Sequence, residues 1–266
     1  GALVARSEFA GRVDLEIVAF ATALLDPATS QGRRRLERAI EAGADLLGAA
    51  VGFYSEPRGS LDALLDLAGS LGVEVDVHVD ESIDPDSFLL ECLADATLER
   101  GLEGRVTASH CCSLSAVPVD VAARTVAKVA AAGITVVVLP ALNLYLQDRG
   151  AATPRLRGLT LVRELHEAGV PVRFGSDNVQ DVFFPYGSAD PLEAAFLASI
   201  AAHVDDEDVL LAGICDGRTR IEAGDPADLV LVEASSVRDA LGRRPHGRTV
   251  LRAGVPVAGP PLEGDA

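Results

Sequence analysis

Lysine is almost absent from this chain: of 266 residues only Lys128 is a lysine, and arginine carries the rest of the positive charge. Any mechanism built on an active-site lysine must therefore use Lys128, which lies in the helical run VDVAARTVAKVAAAG. Basic charge is short overall. The 23 Lys and Arg face 40 Asp and Glu, giving a formal net charge of −17. Such a surface repels phosphate backbones and anionic membranes, which argues against a nucleic-acid partner. No apolar run reaches the roughly 18 residues of a membrane helix, so no membrane partner is expected. The opening GALVARSEFAGR lacks the basic start and long apolar stretch of a signal peptide. The four cysteines, Cys92, Cys111, Cys112 and Cys215, are spaced neither as a disulfide framework nor as a zinc knuckle. That usage fits a cytoplasmic, reducing setting. There is no internal repeat beyond a βα alternation, no low-complexity tract and no glycine-rich phosphate loop at the late strands.

Hydrophobic residues make up 48% of the chain, enough for a sizeable core. Short runs rich in Val, Leu and Ile alternate with longer segments of helical period. The pattern predicts strands over Val13–Phe20, Asp45–Val51, Val73–Val79, Arg105–His110, Thr135–Leu139 and Pro171–Gly175. It predicts helices over Gly32–Ala42, Ser60–Leu71, Pro85–Arg100, Val119–Ala132 and Gly158–Ala168. Near-continuous apolar strands between helices make a parallel sheet, and about six such units favour a barrel over a short open sheet. The pattern changes near residue 224. GDPADLVLVEAS and GRTVLRAGVPVAG read as short strands, with Arg248–Arg252 and Val255–Val257 paired in a hairpin. The expected organisation is a partial (β/α) barrel over 1–224 and a small β segment over 225–266.

In α/β barrels, chemistry gathers where strands end. Three predicted strands end in groups able to bind metal: VEVDVHVDES with His78, Asp80 and Glu81, RVTASHCCSL with His110, and VRFGSDN with Asp177 and Asn178. Imidazole and carboxylate suit zinc or ferrous iron. Each signal alone has a plainer explanation, since an Asp in a G-S-D-N turn is often only turn chemistry. Their recurrence at the same end of successive strands points to function. His166, His203 and His246 lie in helical or polar link segments and read as surface or structural residues.

The stretches LEIVAF, VDVHVDES, VTASHCCSL, LPALNLYLQDRG, RLRGLTLVRELHEAGVPVRFGSDNVQDVFFPYGSAD and GDPADLVLV occur in this order along nearly the whole chain. In them the chain resembles the bacterial cytosine deaminase group of the amidohydrolase superfamily. The resemblance implies a (β/α)8 TIM-type barrel of the α/β class, with a small β-sandwich piece at the C-terminus. It implies one divalent ion, Fe2+ or Zn2+, held by His78 and Asp177. Glu81 would be the proton shuttle. His110 would face the reacting group and the metal-bound water, and Asp177 would also take a proton. The two-metal version of such barrels needs a strand-end lysine, and none is present here. The implied reaction is hydrolysis of a cyclic C–N bond: deamination of a cytosine-like or other small aminated heterocycle. The alternatives are release of an N-alkylamine from an aminotriazine-type ring, or a non-catalytic, incomplete fragment. The sequence leaves room for a homo-oligomer.

The chain departs from the family in three places. No H-x-H occurs in it, whereas the family's first barrel strand ends in such a metal-binding pair. With LEIVAF as the third strand, about six of eight βα units are expected, beginning inside the helix after strand two. A barrel wall missing two strands has two raw edges, and the chain by itself is expected to fall short of family-level metal affinity and turnover. Thr22 stands where cytosine-specific members carry a glutamine, and Asn178 where they carry a second aspartate. A hydroxyl and an amide recognise different ring edges from those groups, so Thr22, Asn178 and His110 are the expected substrate contacts.

Overall fold

The computed structural model describes residues 1–150 and 156–261. Arg155, which opens the RLRGLTLV stretch, and residues 262–266 of the C-terminal segment lie outside the described residues. Helix α1 (Ala2–Glu8) precedes strand β1 (Val18–Ala21). There follow α2 (Ser30–Glu41), β2 (Leu46–Ala50), α3 (Pro57–Leu71), β3 (Glu74–Val79), α4 (Leu90–Glu99), β4 (Val106–His110), α5 (Val119–Ala131) and β5 (Thr135–Val138). Then come α6 (Pro140–Leu146), α7 (Val162–Glu167), β6 (Val172–Phe174), α8 (Pro191–Ala201) and α9 (Glu207–Ile214). The chain closes with β7 (Leu229–Val232), α10 (Val237–Arg243), β8 (Arg248–Arg252) and β9 (Val255–Ala258).

Strands β1 to β6 form one parallel sheet in sequential order, the wall of a (β/α) barrel, and β7, β8 and β9 form a separate antiparallel sheet. Among the described residues β1 and β6 are the two outer strands of the wall, each paired on one side. Alternation sorts the side chains of β3. Val75, Val77 and Val79 are buried in one core cluster with Leu61, Leu64 and Leu65 of α3 and Leu90 and Leu93 of α4. Each such aliphatic side chain stabilises the fold by about 1.5–3 kcal/mol when fully buried. Asp76 and His78 project to the opposite, inner face, as a period of two requires. Gly48 of β2 faces the same interior. A Cβ there would meet Asp76 O and Val18 Cγ1 at 2.5 Å, so the absence of a side chain lets three strands crowd together below the site. Gly72 ends α3 in the left-handed conformation (φ 71°), where other residues are strained.

Sequence and structure differ in several bounds. The first strand is shorter than Val13–Phe20: pairing to β2 begins near Ile17, whose N–H donates to Asp45 Oδ2 at 2.7 Å. The predicted helix Pro85–Arg100 divides into a 3-10 turn at Pro85–Ser87 and α4. Helix α7 begins at Val162 rather than Gly158. The C-terminal hairpin forms between β8 and β9, but the link before it contains α10. This segment is tied to the wall's last helices through Arg248, whose two terminal nitrogens donate to Asp190 at 2.7 and 2.8 Å, and through Arg244 stacked over Phe196 at 3.8 Å. Among the described residues no helix is long and apolar enough to cross a membrane.

Candidate metal and proton-transfer site

The inner ends of β3, β4 and β6 open into a cavity of about 540 Å³. Thr22, His78, Glu81, His110, Asp177 and Asn178 all line it, together with Phe20, Phe53, Leu142 and Phe183. His78 reaches it by strand alternation alone. His110 does not. The register sets His110 beside Val79, whose side chain faces the helices, and Ser109 beside His78. Left-handed backbone at His110 (φ 71°) and Cys111 (φ 52°) turns the imidazole back to the cavity. Such a conformation costs roughly 1–3 kcal/mol for a non-glycine residue and is found where function holds it. Asp177 (φ 59°) leaves β6 by the same device.

The ring of His110 is 3% exposed, and its Nε2 lies 3.0 Å from His78 Nδ1, 3.5 Å from Asp177 Oδ2 and 3.8 Å from Glu81 Oε1. Glu81 Oε1 is also 3.5 Å from His78 Nδ1. Ligand atoms of His78, His110 and Asp177 all fall within 4.8 Å of one another. Two imidazoles and a carboxylate are a donor set that zinc or ferrous iron accepts, and three protein ligands with an open position is the pattern of catalytic zinc. The residues present therefore fit a single divalent ion.

Electrostatics tie the group together. Burial disfavours the His78 imidazolium, but Glu81, Asp177 and Asp76 outweigh it and hold its pKa above the ordinary value. Burial likewise opposes the Glu81 carboxylate, yet His78 and His110 outweigh it and keep Glu81 below its usual range. For His110 burial wins over the attraction of Glu81, and its pKa is lowered. Cys111 and Cys112, beside the site in sequence, are buried thiols pushed upward by burial, Cys112 to about 12, so neither is a ready thiolate ligand.

Asp80, Lys128 and the remaining histidines lie elsewhere. Asp80 turns away from the cavity. Its carboxylate accepts the N–H of Leu89 at 2.7 Å and of Leu90 at 3.0 Å, joining the end of β3 to the start of α4. Burial pushes its carboxyl up to about 7, against the pull of those two amides. A carboxyl raised on folding binds its proton more tightly in the native chain, so its stabilising effect is greatest below about pH 4 and is lost as pH rises toward 7. Asp80→Asn is expected to remove this component, flattening the fall of Tm between about pH 4 and 7 in thermal unfolding scans; an unchanged slope would contradict the assignment. Lys128 pairs with Asp95 at 2.7 Å and Glu91 at 3.0 Å across α4 and α5, far from any catalytic use. His166, His203 and His246 are exposed and outside the cavity.

A family model described as "Amidohydrolase family" matches residues 10–258. The chain belongs to the amidohydrolase family. Among curated proteins this amidohydrolase chain is 42% identical over 225 residues to a pterin deaminase of Rhizobium rhizogenes, covering 80% of the chain and 51% of the relative. It is 26% identical over 263 residues to N-isopropylammelide isopropyl amidohydrolase of a Pseudomonas species, covering 90% of the chain and 59% of the relative. The chain thus spans between half and three fifths of the length of these two curated relatives. Among solved structures, 5-methylcytosine deaminase of Klebsiella pneumoniae with 5-fluorocytosine superposes with a TM-score of 0.87 at 31% identity, over 98% of this chain and 67% of that one.

Strand-end reasoning did not find several residues of this amidohydrolase site. Phe20, Phe53 and Phe183 give the cavity apolar faces, and Phe53 and Phe183 are 64% and 61% exposed. Asn143 is 1% exposed and its Oδ1 lies 3.0 Å from His110 Nδ1. Gln147 Nε2 donates to the main-chain oxygen of Glu81. Both belong to NLYLQDRG, a stretch specific enough to carry the family resemblance, but the strand-end signal used for the other residues does not reach into a helix. Asn178 lines the cavity while its Nδ2 donates to Asp181 Oδ2 at 2.5 Å; Asp181 Oδ1 in turn accepts the N–H groups of Phe183 and Phe184 at 2.9 Å. Asn178 thereby shapes the loop that carries Phe183.

Proposed function

We propose that the protein hydrolyses an exocyclic C–N bond of a flat aminated heterocycle, with a bicyclic aminopteridine as the leading substrate class. The convergence of His78, Glu81, His110 and Asp177 on one cavity carries this reading. The pteridine choice is supported by the 42% identity to a pterin deaminase and by three phenylalanines on the cavity wall, which suit the faces of an extended ring.

His78 and Asp177 would hold the divalent ion, with His110 beside them facing the reacting group. When bound, the ion would lower the pKa of water and so provide a nucleophile near neutral pH. Glu81 rests as a carboxylate and acts first as a proton acceptor. It would pass the proton taken from water to the ring nitrogen next to the reacting carbon, and the hydroxyl proton released to Asp177 as the carbonyl forms would go to the leaving amine. His110, with Nε2 turned to the cavity, would stabilise the developing oxyanion once a proton is taken up there. A C–O bond forms, the C–N bond breaks, and a ring carbonyl and free amine leave. Thr22 and Asn178 lie where they can read the ring edge.

The test is a panel of pterin, cytosine, 5-methylcytosine and an N-alkylaminotriazine, with released ammonia or amine measured on metal-supplied protein. The expected result is ammonia release with the highest kcat/KM on pterin. Alkylamine release from the triazine alone would favour the second reading, which the similarity to N-isopropylammelide isopropyl amidohydrolase supports. No release from any ring would overturn both.

A further inference from the structure

Two residues of the NLYLQ stretch take no chemical step in the reaction above, yet both reach the residues that do. Asn143 lies in α6, and Gln147 is the residue that caps its C-terminal end, its N–H donating to Asn143 O at 2.9 Å. Asn143 contacts the ring of His110, 33 residues earlier, and Gln147 holds the main chain of Glu81, 66 residues earlier. One short helix and its capping residue therefore touch both groups assigned to proton handling. Asn143 Nδ2 is buried and has no partner among the described residues. A buried unpaired amide is costly, and an apolar side chain would fill the position without that cost. What the amide adds is its bond to His110.

We propose that α6 is a positioning element: Asn143 holds His110 with Nδ1 protonated and Nε2 turned to the cavity, and Gln147 pins the main chain that carries Glu81. The catalytic consequence rests on the hydrolase reading, whereas the hydrogen-bond arrangement does not. With Oδ1 of Asn143 accepting from Nδ1–H, the nitrogen facing His78 and Asp177 is the one free to take up a proton or face a cation. A ring of the opposite tautomer would present Nε2–H to the cavity and could do neither while neutral.

The test uses the full chain labelled with 15N-histidine and free of metal, with His110 identified as the ring lost in His110→Gln. Long-range 1H–15N spectra should show Nδ1 protonated and Nε2 unprotonated. Asn143→Asp, which keeps the acceptor, should preserve that pattern, and Asn143→Leu should give a mixture or the Nε2–H form. A dominant Nε2–H tautomer in the unsubstituted chain would overturn the proposal, and so would an unchanged spectrum in a folded Asn143→Leu chain. If the leucine variant fails to fold, the unsubstituted spectrum and the aspartate variant still decide. On the metal-supplied protein, Asn143→Leu and Gln147→Ala should each lower kcat roughly 10–100-fold with KM little changed, and Asn143→Asp should recover most of the loss. Absence of turnover in the unsubstituted protein would sink the hydrolase reading, while the ring spectrum decides the role of Asn143 separately.

Discussion

Glu81→Gln is expected to lower kcat by roughly 10²–10⁴-fold relative to the unsubstituted protein, the range for loss of a positioned acid–base group. Glu81 Oε1 stands 3.5 Å from His78 Nδ1 and 3.8 Å from His110 Nε2, beside the metal-facing atoms. Its pKa is held down by those two imidazoles against the effect of burial, so it rests ionised and ready to accept. Glutamine keeps the shape and can still hydrogen-bond, but it cannot carry a proton between water, ring and amine. Bound metal and Tm should therefore change little while kcat falls. Steady-state kinetics with metal analysis of the same sample checks this; a loss of threefold or less would remove Glu81 from the chemistry.

Asp177→Ala and His78→Ala should weaken metal binding by more than the roughly 10–100-fold seen when only a supporting residue is lost. Each removes a proposed donor. With Asp177 gone, the facing imidazoles of His78 and His110, 3.0 Å apart, lose the anionic donor of the cluster. Both variants should retain less metal than the unsubstituted chain at the same free metal concentration, with any turnover falling in step. The affinity should also fall with acid. Metal ligands must be deprotonated, and the His78 pKa lies above the ordinary imidazole value because neighbouring carboxylates outweigh its burial. Protons therefore compete from a higher pH than an unperturbed histidine would allow. Equal metal content in parent and variants, measured by elemental analysis across pH, would contradict the ligand assignment.

The wall of the barrel was legible because buried parallel strands are short apolar runs, and each of the six predicted runs overlaps a strand of the sheet. The helices were less so. Helix α6 is seven residues long and begins with Pro140, too short for a helical period to show. Helix α8, PLEAAFLASIA, is apolar almost all round and so has no polar face to set its period. The site followed a similar division. His78 could be named as a strand-end residue, and the role of Glu81 came from the family resemblance. His110 could be named as a strand end, but its direction depends on left-handed backbone that overrides the register with Val79. The same kind of backbone at Asp80 (φ 54°) sends that carboxyl to α4, which adjacency to His78 could not reveal. Asn143 became visible only when the fold brought α6 against β4, since nothing local marks an asparagine in a helix as the partner of a distant histidine.

Crystals soaked with Zn2+ and measured on both sides of the zinc absorption edge give the most direct test of the cation-holding cluster. The account predicts an anomalous peak about 2.0–2.2 Å from a nitrogen of His78 and an oxygen of Asp177, inside the cavity and within reach of Glu81. Zinc found only at surface carboxylates, with His78 and Asp177 unliganded in the same crystal, would contradict it.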